Sequence, residues 1–304
     1  MNRKIIGSCA MLAVLVAAGY TWNSNSTNKQ KGYKGMEIEI NDLAERGVVI
    51  HSPSSAGYNN RFSSLLAAPN DLADSARKYS AVVENKTPHP IIAATIIWRF
   101  YPSQGEPIPQ TFAFNSIPNN VFNAPGRGLI QPGEQYPLCL LLERAGFGRE
   151  RATEIKGDDD ARRRLERVNA LIARSVKWSV SVDGVLFSNG VFIGPDTIKY
   201  FDVLSARIRG ARDIINELQQ KLSAGEPNDA VFAHARSYAS ITDEALEAPY
   251  PDRPLRFHNP DYAYNSYKTN MGRQAIALRE NESEAKAIEF IGHNSRQQIA
   301  LIKE

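Results

Sequence analysis

Two hydrophobic periods divide this chain. Between about residues 35 and 196, apolar side chains recur mainly at every second position in short runs; after Pro195 they recur at three- and four-residue steps. A period of two belongs to a half-buried strand and a period near 3.6 to a helix with one buried face. The strand-like runs are Met36–Ile40, Val48–His51, Tyr79–Glu84, Ile91–Tyr101, Thr111–Phe114, Leu129–Ile130 and Tyr136–Leu142. A further run sends Trp178, Val180 and Val182 to one face and Ser179, Ser181 and Asp183 to the other. Pro, Gly and Asn punctuate these runs, which predicts short antiparallel strands. Asn189-Gly190, between Phe187 and Val191-Phe192, predicts a two-residue hairpin turn with positive φ at both positions.

One helix interrupts the strands. The spacing of Leu165, Val168, Ile172 and Val176 predicts it over residues 158–176. Asp158, Asp159 and Asp160 open it as an acidic first turn that compensates the helix dipole. They lack the alternating ligands and glycine of a calcium loop, and Arg162, Arg163 and Arg164 read as a solvated face.

Past Gly194-Pro195, Leu204, Ile208, Ala211, Ile215, Leu218 and Leu222 form a packing seam. Gly225 and Pro227 end that helix, and Asn228 or Asp229 is positioned to cap the next, which carries Val231, Ala235, Tyr238 and Ala245. An antiparallel helical hairpin is the simplest use of the seam, in a monomer; a dimer through residues 204–222 is the alternative, though the seam covers fewer than three heptads. Residues 248–267 alternate Pro249, Pro251, Pro254 and Pro260 with Tyr250, Phe257, Tyr262, Tyr264 and Tyr267. This predicts an extended strap whose rings pack back on the fold, or a ligand surface if they face solvent. Residues 261–304 read as one or two further helices.

The beginning of the chain changes the picture. Met-Asn-Arg-Lys precedes an uncharged, largely apolar run from Ile5 to Trp22, the pattern of an export signal or a short membrane anchor. Small residues Ala17, Ala18 and Gly19 are suited to cleavage, and residues 23–34 read as a polar linker. The expectation is a protein on the far side of the cytoplasmic membrane, periplasmic or otherwise extracytoplasmic, cleaved or anchored, touching the membrane only through residues 1–22. Ile6-Gly7-Ser8-Cys9 is a poor match to a lipoprotein box, because the apolar run continues past the cysteine. Only Cys139 remains for the folded part, so no internal disulfide is available, and its apolar setting reads as a small buried hydrophobe.

Composition places the chain among ordinary globular proteins, with 42% hydrophobic and 23% charged residues. The net charge is only +3, of which Arg3 and Lys4 supply two, so there is no electrostatic footprint for nucleic acid. No nucleophile elbow, P-loop or dinucleotide fingerprint occurs. The five histidines, at 51, 89, 234, 258 and 293, never approach metal-ligand spacing and read as surface or loop residues. No catalytic, cofactor-binding or metal-binding residue is therefore assigned.

A resemblance adds to this reading. Val82-Val83-Glu84-Asn85-Lys86-Thr87, Pro90-Ile91-Ile92, Trp98-Arg99-Phe100-Tyr101, Gly105 and the later Gln131-Pro132-Gly133-Glu134 resemble extracytoplasmic immunoglobulin-like modules of the FxLYD type found in exported bacterial proteins. The similarity spans roughly residues 76–142, without the aromatic-Leu-Tyr-Asp string itself. It implies a β-sandwich used for binding, assembly or spacing, with no active site. The expected fold class is α+β: an immunoglobulin-like antiparallel sandwich over residues 35–196 with the helix at 158–176 inserted, then an α-helical region over residues 197–304. The expected role is a non-catalytic binding or envelope-assembly protein whose partner is another protein or envelope component. The alternative is an extracytoplasmic hydrolase, for example a carbohydrate-active one with a carboxylate pair, whose site the sequence does not reveal.

Overall fold

A computed structural model describes residues 28–31, 37–65, 70–78, 80–115, 130–139, 159–251, 258–296 and 299–304. Residues 1–22, Phe257 and the run Leu140–Leu142 lie outside them. The fold is mixed α and β. Its strands are β1 (Asn28–Lys31), β2 (Glu37–Asn41), β3 (Val48–His51), β4 (Ser80–Asn85), β5 (Ile91–Pro102), β6 (Ile108–Asn115), β7 (Gln135–Cys139), β8 (Ser175–Phe187), β9 (Val191–Ile193) and β10 (Ile302–Lys303). The helices are α1 (Tyr58–Leu65), α2 (Asn70–Lys78), α3 (Asp159–Ala173), α4 (Tyr200–Ser223), α5 (Asn228–Ala239), α6 (Asp243–Glu247), α7 (Pro260–Asn281) and α8 (Glu284–Ser295).

The strands form two sheets. The larger runs β1-β2-β8-β5-β6, with β9 on β8 and β10 on β9; the smaller runs β3-β4-β7. Side chains of period two make each face of the larger sheet apolar in a different place. Ile38, Ile40, Ala94, Ile96, Trp98, Phe100, Phe112, Trp178, Val180 and Val182 meet Val48, Ile50, Ala81, Val83, Tyr136 and Leu138 of the smaller sheet in one core. Aromatic contacts tie the sheets together: Trp98 meets Phe112 at 6.3 Å, Phe112 meets Phe114 at 5.8 Å, and Phe114 stacks on Tyr136 of β7 at 5.3 Å between centroids. Each such pair contributes about 0.5–1.5 kcal/mol beyond the area it buries.

The other face of the larger sheet receives the helices. Ile92, Ala93, Leu186 and Phe192 join Leu204, Ile208, Ala211, Ile215 and Leu218 of α4 in a second core. Val231, Phe232 and Ala235 of α5, Ala263, Tyr267, Met271 and Ala275 of α7, and Ala287 and Ile291 of α8 complete it. The seam at 204–218 is thus covered within the chain, chiefly by α7. Caps follow local chemistry. Asn259 Oδ1 accepts from the Asp261 and Tyr262 amides ahead of Pro260, and Ser283 Oγ accepts from the Lys286 amide.

Several expectations are corrected. The sheet is not wholly antiparallel, because β2 runs parallel to β8 and β10 parallel to β9; alternation is blind to strand direction. Val176 is not on the helical face of α3 but in β8, with 61% of its surface exposed. The turn after β8 has three residues: Gly190 N–H donates to Phe187 O, and only Gly190 has positive φ, at 88°. That is a turn closed by one left-handed residue rather than two. Asn228 does not cap α5, whose first turn follows Pro227; its Nδ2 donates to Glu284 at 2.7 Å instead. Ala245 is exposed and belongs to α6, not α5. Residues 260–267 open α7 and are not an extended strap. Helices α1 and α2 were not legible in a stretch rich in Asn, Ser and Ala; buried Tyr58, Phe62 and Leu72 hold them.

Candidate functional site

Three i,i+4 pairs converge where α4, α5 and α7 meet. Residues four apart share a helix face, so Asp213 and Glu217 of α4, His234 and Tyr238 of α5, and Tyr264 and Lys268 of α7 can reach a common point. Glu217 is its hub. Its Oε1 accepts from Lys268 Nζ at 2.7 Å, and its Oε2 lies 3.0 Å from His234 Nε2 and accepts from Tyr238 O–H at 3.3 Å. Tyr264 O–H donates to Asp213 Oδ2 at 2.8 Å. Lys268 Nζ also stands 4.6 Å from the centre of the Tyr238 ring and 5.9 Å from that of Tyr264.

The electrostatics follow from this packing. Partial burial alone would raise Glu217, but hydrogen bonds from Lys268 and His234, with their charges, hold its carboxyl below the usual range. Burial would lower Lys268, yet its hydrogen bonds to Glu217 and Tyr238 outweigh that and hold it above an ordinary lysine. Burial, and then the hydrogen bond to Asp213, raise Tyr264. The carboxyl is thus shifted toward its ionised form, the amine toward its protonated form and the phenol toward its neutral form. A histidine oriented by a carboxylate is the geometry of a general base. Here the hydroxyl nearest in sequence, Ser237, donates to His234 backbone O at 2.7 Å rather than to its ring. Through Glu217 this arrangement joins α4 to both α5 and α7.

A second cluster lies on the smaller sheet. His51 Nε2 meets Glu84 Oε2 at 2.8 Å, and His51 Nδ1 meets Arg61 Nη1 at 2.9 Å. Arginine only donates, so Nδ1 accepts and the proton sits on Nε2, facing Glu84. Burial raises Glu84, but hydrogen bonding from His51 and the charge of Lys86 bring it below the usual carboxylate range. His51 and His234 are therefore strand and helix residues bound to carboxylates, not loop histidines; His89 and His258 do lie in bends or turns and are exposed, and His293 is in the last turn of α8. No sequence spacing signals either pairing, because His51 and Glu84 join only across β3 and β4.

A third polar group sits at the junction of sheet and helices. Asp183 and Asp196 are buried. Asp183 Oδ1 accepts from the Thr197 amide at 3.0 Å and its hydroxyl at 2.6 Å; Asp196 Oδ1 accepts from the Phe201 amide at 3.1 Å. Asp196 and Lys199 take positive φ, 54° and 55°, which the surrounding bonds stabilise.

The aromatic residues of 248–267 are dispersed. Tyr267 is buried and its O–H donates to Asn115 at 3.2 Å; Tyr264 serves the interhelical cluster; Tyr250 and Tyr262, half-buried, pack edge to face at 5.7 Å. Among the described residues, Tyr250, Tyr262, Tyr264 and Tyr267 do not form one ring-lined surface. Cys139 is buried in β7. Among the described residues, no three His, Cys, Asp or Glu side chains are placed to hold a metal ion, and no helix is long and apolar enough to cross a membrane. No family model matches the chain, and neither a curated protein nor a solved structure matches it.

Proposed function

We propose that this protein is an exported, non-catalytic binding or envelope-assembly module built on an immunoglobulin-like fold. The observation that carries the reading is strand order. The sheet orders β3-β4-β7 and β9-β8-β5-β6 support it, because with β3 to β9 read in chain order as A, B, C, C′, E, F and G they become A-B-E and G-F-C-C′. Trp98, fully buried on the strand in position C, fits the same scheme. Helix α3 falls between the strands in positions E and F, and β2 adds alongside F. The cysteine pair that joins B to F in antibody domains has no counterpart, since Cys139 lies on E.

The step from fold to role is an analogy of scaffold. Two further features support it. The interhelical carboxyl is shifted down and the amine and phenol are shifted up, each away from neutrality, where a general acid or base works best. The apolar run at 5–22 supports export. Fractionation of cells carrying a tagged copy tests the location: the tag is expected with the envelope or periplasm, and full-length protein soluble in the cytoplasm overturns export. Crosslinked pull-down from envelope extract tests the role. A specific partner is expected; recovery of nothing above background, with and without crosslinker, removes the assembly reading.

A further inference from the structure

The segment 299–304 fills a site that its own contacts define. Ile302 N–H donates to Gly190 O at 3.0 Å and Glu304 N–H to Phe192 O at 3.0 Å, adding β10 to the edge of β9 in parallel. Ile299 and Leu301 pack on the helical core, while Ala300 and Ile302 face outward, the alternation of a strand laid in a groove. Arg212 Nη2 donates to Ile299 O at 2.7 Å. Lys303 Nζ reaches Asp196 Oδ2 at 2.6 Å and stands 5.6 Å from the centre of the Phe201 ring. Glu304 pairs with Arg46. Gly190 clears the path, because a Cβ there would lie 2.2 Å from Ala300 O.

The groove and its occupant are unequal. Asp196 has 1% of its side chain exposed, so the site demands a cation. The occupant is held loosely: only two residues are paired, Ile302 is 54% exposed, and the Lys303 and Glu304 side chains are 45% and 48% exposed. Segments with few buried contacts open most readily.

We propose that β10 is a displaceable latch over a strand-accepting site. The occupant that replaces it is an extended segment of a partner protein reading apolar, any, apolar, any, Lys, acidic. Backbone bonding to the β9 edge gives affinity, the groove under Ile299 and Leu301 selects apolar residues, and Asp196 and Arg46 select the charges. This adds a place of contact to the binding role proposed above. It is read on purified protein, so its failure leaves the fractionation and pull-down results standing.

The test is fluorescence anisotropy with a labelled peptide copying residues 299–304, Ile-Ala-Leu-Ile-Lys-Glu, against the full chain and its Ile302→Pro variant. Proline removes the N–H that bonds Gly190 O. The segment in cis competes at an effective concentration in the millimolar range, so its release is expected to tighten peptide binding at least about tenfold. The same peptide carrying Lys303→Glu is expected to bind at least about tenfold more weakly, since it sets a carboxylate against Asp196. Equal binding to both chains, indifference to the Lys303→Glu change, or unaltered amide protection of Glu304 in the variant each overturn the proposal. A doubled mass of the variant by light scattering makes a second copy the occupant and overturns the assignment to a separate partner. Should Ile302→Pro not fold, Lys303→Glu in the full chain replaces it; loss of fold in both makes the segment part of the core and refutes a latch.

Discussion

Gly210→Ala tests the closest helix contact in the fold. Alanine exceeds glycine in a helix by about 1 kcal/mol, so on propensity alone the change stabilises. The packing opposes it. A Cβ at Gly210 would stand 2.2 Å from the backbone O of Tyr264 and 3.0 Å from its carbonyl carbon. Ordinary contact is about 3.5 Å, and a backbone carbonyl inside α7 has no rotamer by which to withdraw. The two helices must part by roughly an ångström, in an interior that compresses poorly. Overpacking costs about 1–3 kcal/mol, and a 2.2 Å approach to a backbone atom calls for the upper part of that range, about 2–3 kcal/mol, which outweighs the propensity gain and leaves a net loss of about 1–2 kcal/mol. Gly292→Ala in α8 is the matched control, because its nearest neighbour would be the tip of Gln219 at 3.6 Å; a gain of about 0.5–1 kcal/mol is expected there. Urea titration with calorimetry reads both, and Gly210→Ala is expected to lower Tm by about 2–6 °C. A Gly210→Ala chain as stable as the parent, or more so, refutes the close approach of α4 and α7.

Other outcomes follow from single contacts. Gly190→Val sets a β-branched residue at a φ of 88° and against Ala300 O; a loss of about 2–4 kcal/mol in chemical denaturation is expected, with faster amide exchange at Ile302 and Glu304. Lys303→Met leaves the buried Asp196 carboxylate without its ammonium partner, for about 1–3 kcal/mol; an unchanged urea midpoint counts against the pair. Because Glu217 is depressed in the fold, its contribution is present above the ordinary glutamate pKa of about 4.3 and is lost as pH falls below it. Glu217→Gln is therefore expected to flatten the acid limb of stability between about pH 5 and 3, and a limb as steep as the parent's removes Glu217 as its source. Lys268 is raised, so its share is present below the ordinary lysine pKa and is lost only as pH climbs past the folded value.

Hydrophobic periodicity alone locates most of the strands and the main helices. Trp178, Val180 and Val182 point into the core between the sheets as alternation requires, and Leu204, Ile208, Ala211, Ile215 and Leu218 are the buried stripe of α4. Periodicity succeeds there because it records one local fact, the side of an element that escapes water. It failed at Val176, where a helical spacing runs on into a strand, and at α1, whose few apolar residues matter only once Tyr58 and Phe62 are inside. Direction, pairing and polar partnership belong to the tertiary structure. Nothing in Glu37–Asn41 says that it runs parallel to Ser175–Phe187. His51 finds Glu84, and His234 shares Glu217 with Lys268, across elements separated by 33, 17 and 51 residues. Hydrogen bonds need distances of about 3 Å, and only the packed chain sets such distances between residues far apart in sequence. The last strand shows the same division: Ile302 and Lys303 carry no strand signal of their own, and the edge of β9 together with the buried charge of Asp196 make them one.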